Sequence, residues 1–101
     1  MGAVRFTARA EADLDAIAAY SLETWGLEQA LEYLALLEAC FRELADDRAR
    51  GRVHRPRPEY WRFEQGKHVV FFRREEGGGV LIVRVLHHRM LPALHLDENP
   101  E

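Results

Sequence analysis

The sequence predicts an α+β domain in which a helical hairpin covers one face of a small, mostly antiparallel sheet. Two observations carry that prediction. The first half repeats apolar residues at steps of three and four, broken once at Gly26, which marks two antiparallel helices. The second half holds three short apolar or alternating runs separated by glycine turns, which marks strands. With a short opening strand the order is β-α-α-β-β-β.

Residues 4–7 open the chain as a strand, with polar Arg5 between Val4 and Phe6, and Thr7 is placed to cap the following helix. The first helix is expected over Ala8–Trp25. Ala10, Leu14, Ile17 and Ser21 form its stripe, widened by Ala18 and Trp25, and Glu11, Asp13 and Asp15 suit the positive end of its dipole. Gly26 serves as the stop. The second helix is expected over Leu27–Asp46, with Leu27, Ala30, Leu34, Leu37, Phe41 and Leu44 facing the core. Residues 47–59 are rich in Arg and hold Pro56 and Pro58, which predicts an irregular loop. Residues 60–64 alternate cleanly, Gln65-Gly66 turns the chain, and residues 67–74 hold Val69-Val70-Phe71-Phe72. A glycine-rich loop over 75–79 leads to the most apolar run, residues 80–86, expected at the centre of the sheet. Residues 1–96 make one domain, with 97–101 as a loose tail; Met90, Leu91, Leu94 and Leu96 are too apolar for a free end and are expected to dock.

The charge is unevenly placed. Residues 1–47 carry net −7, residues 48–74 net +7, and residues 75–101 net −3. A basic middle of this kind suits an acidic protein surface or a phosphate backbone. The single cysteine, Cys40, excludes an internal disulfide and reads as a small buried apolar residue. No signal-peptide core, myristoylation pattern or membrane-spanning run is present, so a cytoplasmic protein is expected. No cofactor and no metal site is expected.

The usual catalytic patterns are missing. The triple glycine at 77–79 joins two strands and opens no helix, so it is no phosphate loop, and Ser21 is the only serine. What remains is basic and aromatic. Alternation places Arg84 with Ile82 and Leu86 on one strand face, and His87 with Val83 and Val85 on the other. A charge in such a strand needs open water or a partner: an acid of its own fold, an acid of another protein, or a phosphate. His87, His88 and Arg84 are the residue types that RNA cleavage needs as base, acid and phosphorane-stabilising cation.

These residues resemble a known superfamily. The β-αα-βββ order resembles the RelE/ParE toxins. Trp25-Gly26, Gln29-Ala30 and Tyr33 are similar to the helical hairpin of the ParE branch, whose members are also called plasmid stabilisation proteins. Gly51-Arg52, Tyr60-Trp61-Arg62-Phe63, the run from Gly66 to Arg73 and the run from Arg84 to Met90 are similar to its later segments, in order. The resemblance implies the toxin of a type II toxin–antitoxin pair that poisons DNA gyrase and is silenced by a ParD-like antitoxin in a hetero-oligomer. It implies no membrane partner and no sequence-specific DNA binding by the chain itself. The RelE branch instead cuts messenger RNA on the ribosome, commonly with a tyrosine or histidine near the C-terminus; this sequence has no tyrosine after Tyr60. Trp61, Arg62, Arg73, Arg84, Arg89, Met90, Leu91 and Leu94 are the residues expected to meet antitoxin or target, on a sheet face left open by the helices.

Overall fold

The computed structural model describes residues 2–90 and 92–96. Strand β1 (Val4–Phe6) leads into α1 (Ala8–Trp25) and α2 (Leu27–Asp46). Strands β2 (Arg52–Val53), β3 (Trp61–Gln65), β4 (His68–Arg74) and β5 (Val80–His87) follow, and a short α3 (Pro92–His95) comes last. The sheet order is β1-β5-β4-β3-β2; β1 lies parallel to β5 and every other pair is antiparallel. The expected α+β architecture is present. Residue pair 52–53 adds a strand inside the stretch expected to be irregular, ahead of the two prolines.

The caps explain the helical hairpin. Thr7 Oγ1 accepts the Ala10 amide at 3.0 Å and donates to the Val83 carbonyl at 2.8 Å, so one hydroxyl starts α1 and ties it to the sheet. Gly26 turns the chain at a φ of 92°, in the region that favours glycine. At the far end of α2, Arg74 donates to the carbonyls of Leu44 at 3.0 Å and Arg50 at 2.5 Å, satisfying a helix C-terminus with a cation.

The main core lies between hairpin and sheet: Ala10, Ile17, Leu37, Phe41 and Leu44 meet Val70, Phe72, Val80, Ile82 and Val85. Leu27, expected in this core, is 64% exposed, because it opens α2 at the hairpin tip beyond the edge of the sheet. Cys40 is buried as expected, and its thiol is pushed up to about 11 by burial first and then by Glu43. A second cluster lies on the other sheet face, where Tyr60, Val69, Phe71, Val83 and Leu86 pack with Leu96.

A β-bulge corrects the expected faces of β5. Phe71 pairs with Arg84 and Phe72 with Ile82, so Val83 is the extra residue. Ile82 and Val85 therefore share the helix face, while Val83 and Leu86 share the other. Strict alternation would have kept Ile82 with Leu86.

Candidate functional site

The sheet face opposite the helices carries an arginine field. Strand alternation sets Arg62 and Arg73 beside Phe71 on that face, and the β2–β3 loop delivers His54, Arg57 and Tyr60 to it. The guanidinium carbons of Arg57 and Arg73 lie 5.4 and 5.7 Å from the Tyr60 ring centre, and that of Arg62 lies 5.6 Å from Phe71. Each cation rests on a buried ring, which fixes it without neutralising it. His54 packs edge-on to Phe71 at 5.1 Å, and its pKa is lowered by burial first and then by Arg62 and Arg57. Among the described residues two acids answer these charges: Glu59 lies 3.0 Å from Arg57, and Glu64 lies 3.5 Å from Arg62 and 3.9 Å from Arg52. Arg73 hydrogen-bonds to none of the described residues, and the buried Arg62 Nε has no hydrogen-bond partner among them. Arg62 and Arg73 are therefore preoriented donors with spare capacity for carboxylates.

The apolar part of this face is covered by the chain itself. Leu96 is 1% exposed, and its carbonyl accepts from Arg57 at 2.9 Å. The docked tail residue is thus Leu96, while Leu94 is 74% and Met90 39% exposed. Trp61, expected on this open face, instead packs on the helix side opposite Phe72, with the Arg74 guanidinium 4.9 Å from its ring. Leu91 and residues 97–101 lie outside the described residues.

A second feature is a ladder of rings at the other end of the sheet. Trp25, Tyr33, His68, His87 and His88 follow one another with centroid separations of 5.8, 5.5, 5.6 and 4.5 Å. His68 and His87 are register partners across β4 and β5. They line a cleft of about 490 Å³ with Ile17, Tyr20, Val85 and Met90. Tyr33 Oη lies 2.6 Å from His68 Nδ1 and 3.1 Å from the Gln65 carbonyl. A carbonyl only accepts, and a hydroxyl has one proton to give. When both bonds are made, Tyr33 donates to Gln65 and His68 donates through Nδ1, which leaves the Nε2 lone pair of His68 unprotonated. Burial first, and then His87 and His88, lower the His68 pKa to about 4, so the ring is neutral near pH 7. The His87 pKa is lowered as well, by burial first and then by His88.

Arg84 belongs to neither feature. Its Nε and Nη2 donate to the two oxygens of Asp13 at 2.8 and 2.9 Å, and Nη1 donates to the His95 carbonyl at 2.6 Å. Asp13 Oδ2 also accepts the Val85 amide at 2.9 Å, beyond the reach of β1. Of the three uses open to Arg84, the acid of its own fold is realised. The trio of His87, His88 and Arg84 is not assembled: the two imidazoles stack, and the guanidinium is turned towards α1. Arg89 is exposed beside them, its amide bonded to His87 Nδ1 at 3.2 Å. Asp13, Tyr33, Arg57 and Arg74 went unread in the sequence as site-forming residues. The one available signal was Asp13, an acid at the edge of an apolar helical stripe.

Comparison with known proteins decides the family. The model of the ParE toxin of the type II toxin–antitoxin system parDE matches residues 4–92. The toxin ParE1 of Caulobacter vibrioides is 42% identical over 93 residues, covering 91% of this chain and 95% of the relative. The chain belongs to the ParE toxin family. The toxin ParE1 of Mycobacterium tuberculosis is 37% identical over 82 residues, 80% of this chain and 84% of its own length. The fold is shared with two solved complexes. A chain of the chromosomal ParDE system from P. aeruginosa superimposes with a TM-score of 0.70 at 24% identity, covering 86% of this chain and 96% of that one. A chain of the RelBE2 toxin–antitoxin complex from M. tuberculosis gives 0.61 at 24% identity, covering 85% and 96%.

Proposed function

We propose that this ParE-family toxin arrests bacterial growth in the cytoplasm by poisoning DNA gyrase, and that a ParD-like antitoxin silences it by direct binding. The arginine field carries the antitoxin half of this reading. Arg57, Arg62 and Arg73 are held on buried rings, and Arg73 makes no ion pair with the described residues. An acidic segment laid across that face gains charge-assisted bonds without the cost of ordering those side chains. The target half rests on the family and on the arrangement of the ribonuclease candidates. Arg84, the cation expected to stabilise a phosphorane, is committed to Asp13 instead.

Purified toxin added to gyrase and relaxed plasmid tests the target. Loss of supercoiling, or trapped cleaved DNA, is the expected result; unaltered supercoiling at large toxin excess removes the gyrase assignment. Cleavage of messenger RNA on translating ribosomes would favour the ribonuclease reading instead. For the antitoxin, Arg62→Glu with Arg73→Glu should weaken binding of the protein encoded in the neighbouring reading frame by about a hundredfold or more. Binding unchanged in that variant places the antitoxin elsewhere.

A further inference from the structure

The helical hairpin has a composition that neither the core nor the arginine field uses. From Ala10 to Phe41 there is no Lys, Arg or His, and there are seven acids. Leu22, Leu27 and Leu31 stand 50%, 64% and 58% exposed. Leu22 lies in the last turn of α1, where its carbonyl accepts the Gly26 amide at 3.0 Å. Leu27 opens α2, and Leu31 follows one turn later on the same helix flank. The three leucines therefore gather at one tip. Glu23, Glu28 and Glu32 are exposed beside them, and none makes an ion pair with the described residues.

We propose that this acidic, leucine-bearing tip is a second docking face, and that its occupant is a basic amphipathic helix of a partner protein. Single exposed leucines are ordinary, but three at one tip flanked by three acids unpaired among the described residues form a patterned surface. An apolar helix stripe would cover the leucines. Lysines or arginines flanking that stripe at steps of three and four would meet Glu23, Glu28 and Glu32. An acidic segment of the kind suited to the arginine field would be repelled here. The helices and that field lie on opposite faces of the sheet, so both faces can be occupied together. The inference stands apart from the antitoxin and gyrase reading and survives its failure.

The test is calorimetric titration of the full chain with an amphipathic leucine–lysine peptide of about 14 residues, four helical turns. Saturable one-to-one binding is expected, weakened about tenfold when salt rises from about 50 to about 300 mM. Leu27→Ser with Leu31→Ser should weaken it about tenfold or more, with thermal stability unchanged because both side chains face solvent. Glu28→Lys with Glu32→Lys should do the same. The proposal is overturned if a scrambled peptide of equal composition binds as tightly, or if the leucine variant binds like the parent. It is also overturned if light scattering shows a dimer of this chain that the leucine variant loses, since the occupant is then a second copy.

Discussion

Replacing Asp13 by Ala should be among the most damaging single changes outside the apolar core. Three donors converge on this carboxylate: Arg84 Nε at 2.8 Å, Arg84 Nη2 at 2.9 Å and the Val85 amide at 2.9 Å. Both side chains of the ion pair are close to buried, at 14% and 13% exposure. Breaking a buried pair by removing one partner typically costs about 3–5 kcal/mol. The lower end applies, because Arg84 keeps its bond to the His95 carbonyl. Each kcal/mol moves the melting temperature of a domain this size by about 4–8 °C, so Asp13→Ala should lower it by about 12 °C or more. Asp13→Asn retains an oxygen for the Val85 amide and should cost less, about 2 kcal/mol. Adding Arg84→Met to Asp13→Asn removes the stranded charge and should return at least about 1 kcal/mol. Urea denaturation of the parent, these three variants and the Arg84→Met single variant reads these values. A cost under about 1 kcal/mol for Asp13→Ala, or strictly additive effects of the two substitutions, would refute the reasoning.

Other substitutions probe the ring ladder and the turns. Tyr33→Phe should cost about 1 kcal/mol and release His68 from its Nδ1–H form, which nitrogen chemical shifts of the imidazole report directly. Gly66→Ala should cost about 1–2 kcal/mol, because a Cβ there would stand 2.8 Å from the Tyr33 ring on a backbone with φ of 59°. Thr7→Ala loses both the cap of α1 and the bond to Val83 and should cost about 1–2 kcal/mol by urea midpoint. The pKa of His68 in the fold lies at about 4, below its ordinary value of 6.5. The unfolded chain therefore takes up the proton first on acidification. Stability from this group is complete above pH 6.5 and is lost as pH falls towards 4, and His68→Gln should flatten that part of the curve.

The helices were legible because their signals are local. Thr7, the three-and-four spacing and Gly26 act within a turn or two of themselves, and both helices end where those residues say. The hairpins of the sheet were legible for the same reason. What escaped depends on distant parts of the chain. The bulge at Val83 arises where β5 outruns β1, and one extra residue there moves every later side chain to the other face. The pairing of Asp13 with Arg84 spans 71 positions, and neither residue advertises the other. Arg62 and Arg73 do share the open face on which they were expected, whereas Trp61, expected there too, does not. The choice of face for β3 was fixed by Phe72 and Phe63 packing under the helices, and no pattern within residues 60–64 decides it.

The central claim is that this chain is a toxin restrained by a second protein. Growth of bacteria carrying it under an inducible promoter, alone or with the protein encoded in the neighbouring reading frame, tests that claim most directly. Induction alone should stop growth, and co-expression should restore it. Undiminished growth with the soluble chain present would contradict the account.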